Sequence, residues 1–169
     1  MNKDIRKLVL SALFAALSCI MTMVIQIPAP TGYVNLGDCA VLLGAWILGP
    51  WWGAAAGGIG SMMADILSGW ASYAPATFVI KFLMGVTAAL VFRWMSQRKY
   101  AQWGMAAGAL VAELIMVVGY FSYEGVVLGV GAAAAASVPA NMVQGLVCMV
   151  AAIAVSALME RSGVAKRIR

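Results

Sequence analysis

The chain has 169 residues, of which 64% are hydrophobic and only 10% are charged, with a formal net charge of +5 and no histidine. Average soluble domains are about 45–50% apolar and about 25% charged, so this composition excludes a soluble globular enzyme, a disordered chain and a disulfide scaffold. Without histidine, the usual nucleophile pairs and His-ligated metal sites are excluded. We therefore expect one polytopic membrane domain over 1–169, with no catalytic residue, metal or cofactor.

The first predicted span covers 8–27 and ends before Pro28. A membrane-spanning helix needs about 20 apolar residues, and this run is long enough. Ala12 and Ala16 repeat at the four-residue spacing that lets helix backbones approach closely in lipid. The stripe predicts either internal packing or a docking surface for a partner near the inner end of the helix.

The next apolar block, 36–67, is too long for one span. Gly49-Pro50 divides it into two short spans, 36–49 and 50–67, because proline begins helices well but breaks their interiors. Asp38 lies at the start of the second span, where it either caps the helix or serves a polar site. Asp65 lies near the outer end of the third span.

The fourth and fifth predicted spans cover 75–92 and 103–121, and each contains one ionisable residue. Lys81 lies six residues after Pro75, or roughly 9 Å into its span. Glu113 lies eight residues before Phe121, or roughly 12 Å deep. Lys81 is either an ion-pair partner of Asp65 or Glu113, or a ligand contact.

The sixth span covers 139–159, and Asn141 and Gln144 share one face of its first turns. With six spans, ten of the eleven Lys and Arg residues fall on one side of the membrane. Positively charged loops stay in the cytoplasm, so both termini are predicted to be cytoplasmic. The basic residues follow segment ends and form no basic face, which argues against nucleic acid as a partner.

The polar residues within the spans share a common depth toward the outer side. Bracing residues have no reason to favour one half of the membrane, so this depth predicts a polar cavity that opens outward. Aromatic residues at the same level would stack on a small, flat, polar heterocycle, although they also suit an interfacial belt. The predicted ligand contacts are Asn35, Asp65, Trp70, Tyr73, Lys81, Glu113, Tyr120, Asn141 and Gln144.

The energy source is the remaining question that the sequence addresses. Gly followed by Lys does not occur, so the chain contains no P-loop for ATP. The two halves show no convincing inverted repeat of the kind found in ion-coupled carriers. A capture subunit that takes its energy from a partner is therefore favoured, and the Ala12/Ala16 stripe is its predicted docking surface.

Six motifs are distributed over most of the chain: Val34-Asn-Leu-Gly-Asp38, the run that ends at Gly49-Pro50, Ala64-Asp65, Tyr73-Ala-Pro75, Ile80-Lys81 and Pro139-Ala-Asn141 with Gln144. Together they resemble the substrate-capture S components of energy-coupling factor (ECF) vitamin transporters, in the riboflavin-type and hydroxymethylpyrimidine-type branch. The resemblance implies an all-α bundle of six transmembrane helices in the bacterial cytoplasmic (inner) membrane. It implies a vitamin or precursor bound under the first outer loop, with Asn141 and Gln144 at ligand-contacting positions.

The resemblance also implies partners: a transmembrane coupling (T) protein that grips the small-residue stripe of the first helix, and two ATPase subunits. The expected ligand is a pyridoxine-like vitamin, a thiamine pyrimidine precursor or riboflavin. Two other functions stay open, namely a small ion-coupled secondary transporter that works alone and an intramembrane enzyme that uses Asp38 and Asp65 as a carboxylate pair.

Overall fold

The computed structural model describes residues 3–30, 32–98 and 103–163. Lys99, Lys166, Arg167 and Arg169, which contribute to the predicted cytoplasmic charge clusters, lie outside the described residues. The described residues are mostly helical and form six α-helices. These are α1 (Lys3–Val24), α2 (Gly37–Leu48), α3 (Trp52–Leu67), α4 (Ala74–Ser96), α5 (Gly104–Ser122) and α6 (Val138–Arg161).

The helix boundaries follow the apolar runs of the sequence to within a few residues. The break in the long block 36–67 occurs at Gly49, whose backbone φ of 90° is a conformation that glycine adopts at little cost. α1 ends at Val24 rather than at 27, because Ile27–Ala29 forms a β-strand. At 12 residues, or about 18 Å, α2 is much shorter than the roughly 30 Å hydrocarbon core of a bilayer.

Contacts between helix ends show that successive helices run in opposite directions. Gln26, just after α1, donates a hydrogen bond to Ser68 at the end of α3, with Nε2 and Oγ 2.9 Å apart. At the other end of the bundle, a Cβ added at Gly49 would lie 3.2 Å from Cζ of Arg93 near the end of α4. The beginning of α1 and the end of α6 therefore lie at the same end as the α4–α5 connection.

Small residues allow the helices to approach one another closely. A Cβ at Gly60 would lie 2.2 Å from the backbone oxygen of Ala15, so α1 and α3 pack at a distance that only glycine permits at this position. Ser18 and Ser61 form a hydrogen bond across the same interface, with their hydroxyl oxygens 3.1 Å apart. Small residues on α1 and α3 thus bring the two helices into close contact.

The outer surface of the bundle is strongly apolar. Four helical stretches of the described residues are long and apolar enough to cross a membrane: Asp4–Val24, Ala74–Ser96, Gly104–Val127 and Gly131–Arg161. Large apolar side chains such as Leu13, Leu83 and Leu146 are about half exposed or more. A surface of this kind is stable in lipid rather than in water, so the chain is a multi-pass membrane protein.

The connections at the end where α4 begins are more ordered than plain loops. Ile27–Ala29 (β1) and Gly32–Val34 (β2) form an antiparallel hairpin in which Pro28 pairs with Tyr33. The long Gly- and Ala-rich segment 122–138 lies between the fifth and sixth predicted spans, where the sequence predicts an outer loop, but α5 continues into a π-helical turn, Tyr123–Val127, and a 3-10 helix, Gly131–Ser137, precedes α6. Helical geometry satisfies backbone groups that a loop at this depth would leave unpaired.

Candidate functional site

A cavity of about 40 Å³ lies beneath the β1–β2 hairpin, between the ends of α3, α4, α5 and α6. We call it the hairpin cavity. Its walls are mostly aromatic and polar side chains, most of which are carried by helices whose other residues are largely apolar. The lining residues are Ala29, Tyr33, Asn35, Asp65, Trp70, Tyr73, Thr77, Tyr120, Glu124, Ser137, Asn141 and Gln144.

The cavity brings together seven of the nine residues that the sequence predicts as ligand contacts. They come from five separate parts of the chain and meet at one end of the bundle: Asn35, Asp65, Trp70, Tyr73, Tyr120, Asn141 and Gln144. The other two predicted contacts, Lys81 and Glu113, are buried but do not line this cavity.

The hairpin covers the cavity through contacts of Tyr33, in β2, and of Asn35, which follows β2. The Tyr33 hydroxyl donates a hydrogen bond to Oδ1 of Asp65 at 2.8 Å, and its ring lies 5.8 Å from that of Trp70. Burial, reinforced by the Asp65 carboxylate, raises the pKa of Tyr33 above its ordinary value, so its phenol stays protonated and donating. The backbone N–H of Asn35 donates to Oε1 of Gln144 at 2.8 Å and fixes the base of the hairpin to α6.

Aromatic rings form one wall of the cavity. Tyr73 lies at its centre, with ring centroids 5.8 Å from Trp70, 6.5 Å from Tyr120 and 5.7 Å from Tyr123. The hydroxyl oxygens of Tyr120 and Thr77 are 3.0 Å apart, which orients the Tyr120 ring. Such a wall offers ring faces for stacking and hydroxyl groups for hydrogen bonds at the same place.

Two buried carboxyl groups give the cavity its acidic character. Asp65 is 6% exposed, and its Oδ2 has no hydrogen-bond partner among the described residues. Glu124 is 3% exposed; its Oε2 accepts a hydrogen bond from Ser137 at 2.6 Å, and its Oε1 accepts one from Tyr73 at 3.5 Å. None of the described residues that line the cavity is basic. The cavity therefore combines two carboxyl acceptors with the hydroxyl and amide groups of its other lining residues.

Sequence reasoning did not single out Tyr33, Thr77, Glu124 or Ser137. Glu124 and Ser137 belong to the segment 122–138, which the sequence predicts to be an outer loop without assigning it a role. One signal was available, because Glu124 is the only charged residue in that segment of the sequence and lies between an aromatic residue and an apolar run. An isolated carboxyl in such surroundings indicates a buried functional group.

Lys81 forms its ion pair with Asp38, not with Asp65 or Glu113 as the sequence had suggested. Asp38 also accepts a hydrogen bond from Nε2 of Gln144 at 2.6 Å, and it makes no side-chain capping bond to α2. Asn35 fills that role instead, since its Oδ1 accepts the N–H of Gly37 at 2.8 Å. Asp38, Lys81 and Gln144 thus form a core cluster directly beneath the cavity, and Lys81 Nζ lies 5.3 Å from the Tyr120 ring centroid.

Glu113 lies on the same face of α5 as Tyr120, but two helical turns deeper in the bundle than the cavity wall. It also borders an apolar groove between α5 and α6, and its two buried carboxyl oxygens have no hydrogen-bond partner among the described residues. Its depth along the helix, rather than its direction, keeps it out of the cavity lining. In the described parts of the chain, no group of three or more His, Cys, Asp or Glu side chains could hold a metal ion.

Comparison with known sequences identifies similar proteins over nearly the whole chain. The family described as "ECF-type riboflavin transporter, S component" matches residues 2–161. A protein of Pyrococcus woesei, named "Uncharacterized protein in gap 3'region", is 37% identical over 69% of this chain and 76% of its own length. The "Thiamine precursor transporter HmpT" of Lactococcus lactis subsp. cremoris (strain MG1363) is 29% identical over 99% of this chain and 96% of its own.

A solved structure has a similar fold. It is described as "Structure and mechanism of the S component of a bacterial ECF transporter" and is 18% identical to this chain. It superimposes with a TM-score of 0.71 and covers 94% of this chain and 98% of the other. The helix order and packing described above are therefore those of an S-component fold.

Proposed function

The chain belongs to the family of ECF-type riboflavin transporter S components, and on this premise we propose which ligand it binds and how. It is the substrate-capture subunit of an ECF importer for a small water-soluble vitamin or vitamin precursor. The family consists of transporter subunits and is not a class of enzymes. An S component binds its substrate without chemical change, so the residues of the site are explained by recognition alone.

We propose that the ligand is a compact heterocycle rich in hydrogen-bond donors, of the type of the pyrimidine precursor of thiamine. The observation that carries this proposal is the pair of buried carboxyl groups, Asp65 and Glu124, in a cavity whose described lining includes no basic residue. Amino and hydroxymethyl groups on a ring would donate to these acceptors. Oδ2 of Asp65 is buried and has no hydrogen-bond partner among the described residues, so it would accept such a donor once the hairpin has moved outward.

The aromatic wall and the size of the cavity support a small, flat ligand. Trp70, Tyr73 and Tyr120 offer ring faces on which a heterocycle would stack. Typical small-molecule pockets measure about 300–1,000 Å³, far more than the 40 Å³ beneath the hairpin. Binding therefore requires the hairpin to move outward, and a compact ring requires a smaller movement than riboflavin would.

The proposed contacts are the cavity-lining residues, each with a role set by its chemistry. Asp65 and Glu124 accept hydrogen bonds from the ligand, Asn141 bonds the ring edge, and the aromatic wall stacks on its face. Asn35 and Gln144 bond the ligand from the hairpin base, where their side chains already interact with α2 and the core cluster. Lys81 acts indirectly, because it holds Asp38 and thereby Gln144 in place.

Isothermal titration of the purified protein with three ligands tests the substrate class. We expect the hydroxymethyl pyrimidine precursor of thiamine to bind at least tenfold more tightly than pyridoxine and a hundredfold more tightly than riboflavin. Native mass spectrometry of gently purified protein would identify a retained ligand directly. Binding of none of the three, or of riboflavin alone, would contradict the pyrimidine proposal but leave the family assignment intact.

Riboflavin is the second candidate, because the family that matches residues 2–161 is described by that vitamin. A flavin is larger and carries several acceptor groups, which would face the carboxyl oxygens of Asp65 and Glu124 unfavourably. Riboflavin binding would be detected by quenching of flavin fluorescence. Quenching at submicromolar protein would replace the pyrimidine by the flavin as the substrate.

We further propose that α1 to α6 form six membrane spans, of which α2 and α3 are short, with both termini in the cytoplasm and the hairpin cavity on the outside. The basic residues Arg6, Arg93 and Arg161 support this orientation, since the helix directions bring them to one end of the bundle. One membrane domain over 1–169 in the bacterial inner membrane follows. Cysteine labelling at Ser72 and Ser162 tests the orientation, because only a cysteine at 72 should react with an impermeant reagent from outside.

We propose that Ala12 and Ala16 form the contact with a transmembrane T protein, which links the chain to two ATPase subunits. Both residues are exposed on the outer face of α1, so a partner helix could reach them without disturbing the bundle. Ala12→Trp should abolish vitamin uptake in cells and leave ligand binding unchanged, whereas the matched lipid-facing change Leu90→Trp should alter neither. Uptake by the lone protein in vesicles would instead support an ion-coupled carrier.

A further inference from the structure

The end of the bundle opposite the hairpin cavity has a notch where α2 turns into α3. A Cβ added at Gly85 of α4 would lie 2.6 Å from Cα of Ala54 in α3, so these two positions are level in the bundle. From this level α3 reaches its first residue, Trp52, after two residues, whereas α4 continues for eleven residues to Ser96. At about 1.5 Å per residue, α4 therefore extends about 13 Å beyond the beginning of α3.

The helix on the other side of α3 also extends beyond it. Gly60 of α3 lies against Ala15 of α1, and from this pair α1 continues for twelve residues to Lys3, whereas α3 has eight residues left to Trp52. α1 thus extends about 6 Å further than α3. The turn formed by residues 49–51 is consequently the floor of a notch between α1 and α4, which we call the turn notch.

A cation and two indole rings lie at the turn notch. Arg93 of α4 lies over the floor, since a Cβ added at Gly49 would be 3.2 Å from its Cζ. The Arg93 side chain is exposed and forms no ion pair with another described residue. Trp51 and Trp52 are 68% and 38% exposed. Tryptophan and arginine are the residues that membrane proteins place among lipid headgroups.

The floor lies at a depth where its backbone needs a polar partner. α4 has 23 residues, or about 34 Å, so it crosses the roughly 30 Å hydrocarbon core, and a floor some 13 Å short of its end lies within that layer. The N–H of Gly49 bonds the carbonyl of Ala45, but Pro50 has no N–H to offer the carbonyl of Trp46. Irregular backbone is not tolerated against lipid tails. A polar group must therefore enter the notch from the membrane surface.

We propose that the turn notch binds the headgroup of one anionic phospholipid of the phosphatidylglycerol type. The phosphate bonds the Arg93 guanidinium, the headgroup hydroxyls donate to the carbonyl groups at the end of α2, and Trp51 borders the headgroup. The acyl chains lie along α3, where Ile59, Met63 and Ile66 form one exposed stripe. A zwitterionic lipid is disfavoured, because it would bring a second cation beside Arg93.

Native mass spectrometry of the full-length, delipidated protein tests this site with two added lipids of the same acyl chains, phosphatidylglycerol and phosphatidylcholine. Wild-type protein should bind one phosphatidylglycerol about fivefold more tightly than phosphatidylcholine, which is the effect expected of one basic side chain near an anionic headgroup. Arg93→Gln should lose this preference. The matched control is Arg98→Gln, which should keep it, because the Arg98 guanidinium lies 4.5 Å from the Trp94 ring centroid and not over the floor.

The site is overturned if wild-type protein binds both lipids equally, or if Arg93→Gln keeps the wild-type preference. It is also overturned if Arg98→Gln loses as much as Arg93→Gln, because a preference that follows total positive charge does not need the notch. Both arginines are exposed, so an unchanged melting temperature is expected and establishes that each variant is folded. The experiment involves no vitamin, so its outcome is independent of the function proposed for the hairpin cavity.

Discussion

Two buried acidic groups, Asp38 in the core cluster and Asp65 in the hairpin cavity, differ in how completely they are bonded. Oδ1 of Asp38 pairs with Lys81 and Oδ2 accepts from Gln144, and the residue is fully buried. Asp65 is nearly as buried, but only its Oδ1 is bonded, to Tyr33, and its Oδ2 is free among the described residues. A bonded ion pair fixes the groups that it joins, and loss of one partner is costly, whereas a buried acceptor left free beside a cavity is available to a ligand.

This difference distinguishes residues that stabilise the fold from residues that contact the ligand, although the sequence alone groups them together. The core cluster lies directly below the cavity and shares Gln144 with it, so the scaffold determines where the cavity walls stand. Substitutions in the cluster should therefore change stability first. Substitutions at the free acceptor should change ligand affinity first.

The largest effect is expected for Lys81→Met, which leaves the Asp38 carboxylate buried without its cation. Loss of one partner from a buried pair typically costs about 3–5 kcal/mol. We expect a large fall in melting temperature, or failure to accumulate as a monodisperse protein, measured by size exclusion and thermal unfolding in detergent.

The control is the double variant Lys81→Met with Asp38→Leu, which removes both charges. It should recover much of the stability lost in the single variant, because no uncompensated charge remains. If Lys81→Met alone melts like the wild type, the core cluster does not stabilise the fold and the comparison fails.

The next effect is expected for Asp65→Asn, and it should appear in ligand affinity. The substitution preserves shape and the bond from Tyr33 but removes the charge that faces the ligand donor. A hydrogen bond to a charged group contributes about 1.5–3 kcal/mol, so the dissociation constant should rise roughly tenfold to a hundredfold. Titration calorimetry measures the affinity, and thermal unfolding should change little. Equal affinity in both proteins would exclude Asp65 as a ligand contact.

The helices could be predicted closely because the physical signals were local. Apolar runs of membrane length ended at proline, glycine or charge, and Gly49 with Pro50 divided the one block that was too long for a single helix. The hairpin was missed, since two three-residue strands joined across a single turn leave little pattern. The helical turns of 123–137 were missed because alanine and glycine runs suit several structures.

The site was predicted from a shared level toward the outer side, and its errors are errors of depth and partner. Lys81 lies about one turn deeper than Thr77, and Glu113 two turns deeper than Tyr120, so both are buried beneath the cavity instead of lining it. The choice of Asp38 as the partner of Lys81 depends on how α2 packs against α4, which is a tertiary property. Glu124 reaches the cavity only because the end of α5 continues as a π turn.

An intermediate effect on both properties is expected for Gln144→Leu, since this side chain belongs to both regions. The change leaves Oδ2 of Asp38 and the N–H of Asn35 without their partners, at about 1–3 kcal/mol for each unsatisfied group. Melting temperature and ligand affinity should both fall. A variant that loses only one of the two would show that Gln144 belongs to a single region. The matched control is Asn141→Leu, which has no bond to the core cluster and should lower affinity alone.

The smallest effect is expected for the hydrogen bond from Tyr33 to Asp65, because this bond is only half-buried and water can take the place of one partner. Tyr33→Phe should cost about 0.5–1.5 kcal/mol. Because the pKa of Tyr33 is raised, the stability that this hydrogen bond contributes depends on pH. The folded protein binds the phenolic proton more tightly than the unfolded chain does. The contribution is complete below the ordinary tyrosine pKa of about 10 and is lost as the pH rises above it. The difference in melting temperature between wild type and Tyr33→Phe should therefore be constant from pH 7 to 9 and should shrink toward pH 11. A difference that grows with pH would mean that the phenol does not donate to Asp65.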